Sequence, residues 1–379
     1  MHRPILVSIV VVVISLAVAR PSVAAAAAAP EPVKTLAIGA KAPDFALLGV
    51  DGRTHRLAEY GQARVLVVVF TCNHCPTAQA YESRIAKLSA DYRDKGVVLV
   101  AISPNDPRAV RLDELGYTDV SDSLADMKVR AKDRDFKFPY LYDGDKQEVS
   151  RAYGPIATPH VFVFDADRRL RYVGRVDDNE RDPNAVKSPD ARNAVEALLA
   201  GRPAPVATTK PFGCSIKWSD KRDSVKQAFA KWAEEPVTSS TIALEEVKTI
   251  LKNDTNKLRL VNFWSLGCPP CVTEFPQLVE INRMYRGRDF EMVSINLDGL
   301  SGRGKAHQFL RGKEASFTNY MYNGDASALV NAMNPKWPGV IPYTLVIKPG
   351  GELLHTHIGM IEPLEMKKIL VGYLGRTYK

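Results

Sequence analysis

The stretch RVLVVVFTCNHCPTAQAYESRIAKLSADYRDKGVVLVAISPND (residues 64–106) recurs later in the chain as LRLVNFWSLGCPPCVTEFPQLVEINRMYRGRDFEMVSINLDG (residues 258–299). Each copy contains an apolar run, a Cys-x-x-Cys, a helical pattern and a second apolar run. The first runs, Val65–Phe70 and Leu258–Trp264, are rich in β-branched and aromatic residues, which is typical of strands buried on both faces of a sheet. The order predicts a β-α-β unit that occurs twice, with the cysteines at the strand-to-helix turn.

A second shared piece follows each copy. ATPHVFVFDADRRLRYVGRV (residues 157–176) and VIPYTLVIKPGGELLHTHIG (residues 340–359) each contain X-Pro, a strand pattern, a turn and another strand pattern. This order predicts a β-hairpin. Pro159 and Pro342 stand immediately before strands, where the missing N–H is tolerated, and we expect both X-Pro bonds to be cis.

The length of 379 residues favours two domains. We place the first at residues 36–200 and the second at residues 236–379. A helix at 188–199 is expected to close the first domain, and a helix at 242–251 to open the second. The intervening residues 201–235 begin with a Pro- and Gly-rich stretch and are interpreted as a linker and crossing segment.

The first 29 residues are interpreted as a secretory signal peptide. A short cationic start precedes an apolar run at 5–19 and an Ala-rich stretch. The apolar run is shorter than the ~20 residues that span a membrane. We therefore expect an exported protein, periplasmic or otherwise extracytoplasmic, with no stable membrane span after cleavage. An uncleaved N-terminal anchor is the alternative.

The amino-acid composition excludes two classes of protein, those that bind nucleic acid and those held together by a disulfide scaffold. Hydrophobic residues make up 45% of the chain and charged residues 25%, which fits a globular protein. The formal net charge is +8, but no run of five like charges occurs, so no nucleic-acid partner is expected. Five cysteines are too few for a disulfide scaffold in a chain of this size. Four of them form the two Cys-x-x-Cys pairs.

These motifs resemble the thioredoxin-like superfamily in both copies. The first copy, with APDF (residues 42–45) and FTCNHCP (residues 70–76), is similar to the redoxin branch (alkyl hydroperoxide reductase/thiol-specific antioxidant, AhpC/TSA). The second, with VNFW (residues 261–264) and CPPC (residues 268–271), is similar to thiol-disulfide reductases of the TlpA/ResA type. The resemblance implies an α/β fold of two tandem thioredoxin-like domains, each a mixed β-sheet flanked by helices.

The resemblance also implies an enzyme, a thiol-disulfide oxidoreductase. Cys72 and Cys268 are the implied attacking thiols, and Cys75 and Cys271 the implied resolving thiols. The implied partners are protein thiols and disulfides and an upstream dithiol reductant, with no cofactor and no metal. Disulfide exchange needs a thiolate and a second thiol that releases the mixed disulfide. We expect the first cysteine of each pair to lie at a helix N-terminus, where the backbone amides lower its pKa.

Three further residues complete the candidate sites by resemblance. Pro159 and Pro342 are expected to face the sulfurs. In the TlpA/ResA pattern a glutamate three residues after the second cysteine lies near the active site, and Glu274 fills that place. Thioredoxins carry a buried aspartate where Asn262 stands, so Glu274 becomes the candidate proton acceptor.

The two residues inside each pair are expected to adjust its reduction potential. In the first pair both intervening residues keep their N–H groups, and His74 can add positive charge beside the thiolate. In the second pair Pro269 and Pro270 have no N–H. Since stabilisation of the reduced form makes a better oxidant, the first pair is predicted to be the more oxidising.

Three alternatives remain open. The first domain could bind a metal, of a copper type, through Cys72, His74, Cys75 and His160. It could also be a thiol peroxidase, although peroxiredoxins carry a Thr where Val69 stands. The pairs could be permanent disulfides, but two-residue loops gain little by loop entropy. The fifth cysteine, Cys214, is either a buried inert thiol or a third redox partner, and its exposure decides between them.

Overall fold

The computed structural model describes residues 33–333 and 337–378. The predicted signal peptide lies outside the described residues. Within the described part of the chain, no helix is long and apolar enough to cross a membrane.

The N-terminal half forms a mixed sheet of seven strands with helices on its faces. Its elements are β1 (Ala46–Gly49), β2 (Thr54–Arg56), β3 (Val65–Phe70), α1 (Pro76–Tyr92), β4 (Val97–Ser103), α2 (Leu124–Asp133), β5 (Tyr140–Tyr142), α3 (Glu148–Tyr153), β6 (His160–Phe164), β7 (Leu170–Gly174) and α4 (Asp190–Leu199). The strand order is β2-β1-β5-β4-β3-β6-β7. Strands β3, β4 and β5 are parallel, and the other neighbours are antiparallel.

The C-terminal half forms a second mixed sheet, of six strands. A connecting helix, α5 (Arg222–Ala233), precedes it. Its elements are β8 (Ser240–Ile242), α6 (Leu244–Lys252), β9 (Leu258–Trp264), α7 (Pro269–Tyr285), β10 (Phe290–Asn296), α8 (Gly299–Gly312), β11 (Thr318–Tyr322), α9 (Ala326–Ala332), β12 (Tyr343–Ile347), β13 (Leu353–Ile358) and α10 (Pro363–Leu374). The strand order is β13-β12-β9-β10-β11-β8. Strands β8 to β11 pair in parallel, whereas β12 and β13 pair antiparallel.

The central strands explain the apolar runs in the sequence. All six side chains of β3 are buried. Val65, Val67 and Val69 contribute to one hydrophobic cluster. The alternate residues Leu66, Val68 and Phe70 contribute to another, on the opposite face of the strand. Because successive side chains point to opposite faces, a strand covered on both faces is apolar throughout. The predicted strands, both hairpins and both cis X-Pro bonds are confirmed.

The two helices that follow the cysteine pairs begin at different places. Helix α7 begins at Pro269, so Cys268 is its N-cap, as expected. Helix α1 begins at Pro76, so Cys75 is its N-cap, and the prediction that Cys72 lies at the helix N-terminus is wrong. The physical reason is that proline favours the first position of a helix. In the first copy the proline follows the second cysteine, Cys75, whereas in the second copy a proline already follows the first cysteine, Cys268.

The segment between the sheets is more ordered than the sequence indicated. It contains α5, and part of it pairs with β7, where Val173 N–H donates to Ala207 O over 3.0 Å. The helix predicted at 242–251 begins at Leu244, two residues after the predicted start, because Ile242 is the last residue of β8 and pairs with β11. The helix at 188–199 begins at Asp190. The domain boundaries themselves stay predictions.

The C-terminal end of α7 contacts the N-terminal half. Tyr285 donates its hydroxyl to Thr118 O over 2.7 Å, and Arg288 donates to Gly116 O over 2.6 Å. Helix α7 has 17 residues and is therefore about 25 Å long. The pair that begins at Cys268 lies at the opposite end of the helix from this contact.

Candidate functional sites

The second Cys-x-x-Cys lies at the N-terminus of α7. Cys268 and Cys271 form a disulfide with an S–S distance of 2.13 Å. Cys268 Sγ accepts the backbone N–H of Cys271 over 3.3 Å and lies 3.5 Å from the carbonyl oxygen of Ile341, which precedes Pro342. Cys271 is fully buried, whereas Cys268 is 8% exposed and lies between the exposed residues Gly267 and Pro269. An external thiol therefore meets Cys268 first.

Glu274 lies one helical turn after Cys271 and is buried with it. Its Oε1 accepts from Asn262 Nδ2 over 2.9 Å, and its Oε2 accepts from the backbone N–H of Ile361 over 2.8 Å. Burial raises the pKa of Glu274, and the two hydrogen bonds only partly offset this effect. A carboxylate with a raised pKa, one helical turn from Cys271, has the properties of a proton acceptor.

Replacing Glu274 by Gln is expected to slow disulfide exchange at the second pair by about a hundredfold, the lower end of what a general base contributes. Because the pKa of Glu274 is raised, its basic form accumulates as the pH rises through that shifted pKa. The wild-type rate should increase over this range, and the Gln variant should lose the increase. The measurement is the pH profile of insulin reduction.

The control for this variant is Glu280→Gln. Glu280 lies on the same helix, but its carboxylate pairs with Lys367 at 2.5 Å and is partly exposed. The Glu280 variant should retain the wild-type profile. A Glu274→Gln profile that matches the wild type would make Glu274 a structural residue only.

The first Cys-x-x-Cys lies in the turn before α1, with Cys75 as the N-cap, and both thiols are free. Cys72 Sγ is 3.2 Å from the hydroxyl of Thr158, which precedes Pro159. Cys75 Sγ accepts the backbone N–H of Ala78 over 3.4 Å and lies 3.3 Å from Thr158 O. Both sulfurs are enclosed, since Cys72 is 2% exposed and Cys75 is fully buried.

His74 faces a carboxylate rather than a sulfur. Its Nδ1 is 2.6 Å from Asp122 Oδ2, and both side chains are buried. Asp122 also accepts the backbone N–H groups of Asn73 and His74, at 2.9 and 3.1 Å, and the amide of Asn105 at 2.8 Å. The sequence analysis missed Asp122, because nothing in the local sequence distinguishes this residue from other loop aspartates.

The paired charges shift both pKa values. Burial acts to lower the pKa of His74, but the charge and hydrogen bond of Asp122 outweigh it and raise that pKa. Burial acts to raise the pKa of Asp122, but the charge and hydrogen bond of His74 outweigh it and lower that pKa. Both shifts favour the charged forms, so His74 and Asp122 form a buried ion pair at the Cys72–Cys75 turn.

The two thiols of the first pair have opposite pKa shifts. Burial, followed by hydrogen bonding to Cys75, raises the pKa of Cys72. Burial also acts to raise the pKa of Cys75, but hydrogen bonds from Cys214 and Cys72 and the charge of His74 outweigh it and lower that pKa. The stabilised thiolate is thus Cys75, whereas the sequence placed the thiolate-stabilising charge of His74 beside Cys72. The attacking and resolving roles of the two cysteines stay predictions.

The metal-ligating set considered from the sequence is not assembled as expected. His160 is buried against Phe162, and its Nδ1 accepts from Ile156 N–H over 3.3 Å. Burial lowers the pKa of His160 to about 4, so its ring is neutral at pH 7. The structure instead groups ligand atoms of Cys72, His74 and Asp122 within 4.8 Å of one another.

Comparison with known protein families agrees with the two sheets. The Redoxin family matches residues 37–194, and the AhpC/TSA family matches residues 225–356. The chain is a tandem of two thioredoxin-like domains. We refer below to the redoxin domain and the AhpC/TSA-family domain. The AhpC/TSA resemblance expected of the first domain is thus found in the second, and the first matches the Redoxin family.

The tandem protein is similar to several individual proteins. Thiol-disulfide oxidoreductase ResA of Oceanobacillus iheyensis is 28% identical over 132 residues, which are 35% of this chain and 61% of the relative. ResA of Geobacillus thermodenitrificans is 24% identical over 140 residues, 36% of this chain and 69% of the relative. The crystal structure of an uncharacterized conserved protein from Geobacillus kaustophilus is 39% identical, with 48% of this chain and 93% of that chain covered and a TM-score of 0.43.

Proposed function

We propose that this protein is an exported thiol-disulfide oxidoreductase that exchanges disulfides through two Cys-x-x-Cys centres. Its substrates are protein thiols and disulfides, and an upstream dithiol supplies the electrons. Cys268 attacks or is attacked, Cys271 resolves, and Pro342 borders the substrate site. The redoxin domain carries a second centre in Cys72 and Cys75, next to Pro159.

One observation carries this proposal. In the AhpC/TSA-family domain, Cys268 of the Cys268–Cys271 disulfide is the N-cap of α7 and is 8% exposed, whereas Cys271 is fully buried. The carbonyl oxygen of Ile341, the residue before Pro342, lies 3.5 Å from the Cys268 sulfur. A helix N-terminus stabilises a thiolate, and a second sulfur within bonding distance can release a mixed disulfide, which supports the proposed roles of Cys268 and Cys271. The relatives named as thiol-disulfide oxidoreductases support the same activity.

The direct test is reduction of insulin disulfides by the purified full chain with dithiothreitol as electron source. We expect turnover that is lost after the four cysteines of both pairs, Cys72, Cys75, Cys268 and Cys271, are replaced by Ser. A full chain that does not accelerate insulin reduction above dithiothreitol alone would contradict the proposed activity.

Metal handling by the redoxin domain is the second candidate, because Cys72, His74 and Asp122 lie close together. The carboxylate oxygens of Asp122 already accept hydrogen bonds from three neighbouring residues, and His74 Nδ1 is one of the donors. A metal ion would have to displace these bonds, which favours the redox function. Analysis of bound metal in the purified protein distinguishes the two functions.

The two pairs are expected to differ in reduction potential, with Cys72/Cys75 the more oxidising. Hydrogen bonds to Cys75 stabilise its thiolate, whereas Pro269 and Pro270 withhold amide donors from Cys268. We expect a gap of at least about 30 mV, which is worth ~1.4 kcal/mol for a two-electron couple. The measurement is a titration of full chains in glutathione buffers, each chain keeping one pair and carrying serines at the other.

A potential of Cys72/Cys75 equal to or below that of Cys268/Cys271 would contradict this prediction. If Cys72/Cys75 has the higher reduction potential, electrons flow from Cys268/Cys271 to Cys72/Cys75. The second pair lies a helix length from the interdomain contact, so an external dithiol, or a rearrangement of the domains, would have to carry the electrons.

A further inference from the structure

Cys214 belongs to the redoxin centre although it stands 139 residues after Cys75. Its backbone N–H donates to Cys75 Sγ over 3.3 Å, and Cys214 packs against the small buried cluster of Cys72, Cys75 and Ala78. Its carbonyl oxygen accepts the N–H of Thr158 over 3.0 Å in an antiparallel bridge. The backbone therefore holds a third thiol beside the pair.

The residues on either side of Cys214 hold it close to the Cys72–Cys75 pair. Gly213 has φ +135°, and a Cβ at this position would lie 1.9 Å from Thr158 O, so only glycine permits the contact. Three residues further on, Lys217 N–H donates to Asn105 Oδ1 over 2.9 Å. These contacts fix the segment on both sides of the cysteine.

Cys214 is also the most accessible of the three sulfur-bearing residues. Cys72 is 2% exposed and Cys75 is fully buried, whereas Cys214 is half-buried. Because Cys214 is more exposed than either cysteine of the pair, a thiol outside the protein meets Cys214 first.

We propose that Cys214 is a third redox residue of this centre, through which the disulfide moves from Cys72–Cys75 to Cys75–Cys214 before an external dithiol reduces it. The proposal rests on the proposed function, since it requires that Cys72 and Cys75 form a disulfide. In the first step the Cys214 sulfur attacks Cys75 Sγ. The Cys72–Cys75 bond breaks, and its electron pair leaves on Cys72, which takes up the proton that Cys214 gives up. The number of disulfides is unchanged, so no oxidant is consumed.

In the second step the thiolate of an external dithiol attacks Cys214 Sγ. The Cys75–Cys214 bond breaks, and Cys75 leaves as a thiolate. The second thiol of the reductant then attacks the mixed disulfide, releases Cys214 and becomes part of the reductant's own disulfide. Two electrons pass from the reductant to this centre.

The pKa shifts bear on the second step. Burial acts to raise the pKa of Cys75, and the hydrogen bond from Cys214 is absent once Cys214 is part of the disulfide, but the hydrogen bond from Cys72 and the charge of His74 still act to lower that pKa, and a thiol of low pKa is a fast leaving group. Hydrogen bonding to Cys75 is the largest effect that raises the pKa of Cys214. This effect is absent once Cys75 is part of a disulfide, which is the state in which Cys214 must attack.

The first test is the full chain with Cys72→Ser, equilibrated in a glutathione buffer that oxidises the wild-type pair, then alkylated and digested for mass spectrometry. We expect a Cys75–Cys214 disulfide. The matched control is Cys75→Ser, in which Cys72 and Cys214 should both be recovered as alkylated thiols. If Cys75 and Cys214 remain free in the Cys72→Ser variant, the proposal is overturned. If the wild-type chain never forms a Cys72–Cys75 disulfide, the proposed function of this domain fails as well, and the two failures are distinguishable.

The second test is the rate at which dithiothreitol reduces the oxidised centre. Cys214→Ser should slow this step by about tenfold or more, because the reductant must then reach a buried disulfide. The control is Ser215→Ala, the next residue, whose exposed hydroxyl lies 3.5 Å from Lys221 Nζ. The control should reduce at the wild-type rate. An unchanged rate in Cys214→Ser would contradict the proposal.

Discussion

Replacing Cys268 by Ser is expected to lower insulin reduction by the AhpC/TSA-family domain at least about 10³-fold, the scale on which loss of a covalent nucleophile acts. Cys268 is the only sulfur of this pair with measurable exposure, and Cys271 is fully buried behind it. A serine hydroxyl cannot form the mixed disulfide through which exchange proceeds. The assay uses the full chain with serines at Cys72, Cys75 and Cys214, so that only this domain contributes.

The partner variant, Cys271→Ser, should instead accumulate a mixed disulfide between Cys268 and the substrate, because only the second thiol can release it. Non-reducing electrophoresis and mass spectrometry detect this species. Thr273→Ala is the control, since Thr273 is exposed on the same helical turn and donates its hydroxyl only to Pro269 O. Insulin reduction at the wild-type rate by Cys268→Ser would refute the assignment of the attacking thiol.

Replacing Asp122 by Asn is expected to lower the free energy of unfolding of the redoxin domain by about 3 kcal/mol, the cost of breaking a buried ion pair. Asp122 accepts hydrogen bonds from His74, Asn73 and Asn105, and both partners of the ion pair are buried. The asparagine amide keeps the shape of the side chain but presents no charge to His74.

The size of this loss should depend on pH in a defined direction. The raised pKa of His74 stabilises the folded state fully below the ordinary histidine pKa of about 6.5, and this stabilisation is lost as the pH rises through the raised value. The lowered pKa of Asp122 stabilises the folded state above about 3.9, and this contribution is lost as the pH falls through the lowered value. The difference between wild type and variant is therefore expected to be largest near pH 5 to 6.

Urea unfolding of the full chain at pH 5.5 and pH 9 measures this difference. Asp113→Asn is the matched control, because Asp113 is 41% exposed and pairs with Arg111 at the surface. Such a pair is worth roughly 1 kcal/mol or less. A loss in Asp122→Asn that is no larger than in the control, or that is larger at pH 9 than at pH 5.5, would show that the ion pair does not stabilise the folded state.

Local patterns in the sequence are sufficient to predict the central strands and the hairpins. The run Val65–Phe70 is apolar at every position because a central strand is covered on both faces, and the structure shows that strand with the same bounds. The hairpins follow from two strand patterns joined by a turn. The start of α1 also has a local signal, because Pro76 stands at the first helical position, which proline favours.

The tertiary structure alone decided how the redoxin centre is assembled. Asp122 reaches His74 across 48 residues, and Cys214 reaches Cys75 across 139 residues. Neither contact has a periodicity or a spacing that the sequence reveals, because each depends on where the fold places a loop against the cysteine turn. The charge of His74 and the thiolate of Cys75 are thus properties of the folded chain. Burial removes the competing water, and the neighbours that remain determine each pKa.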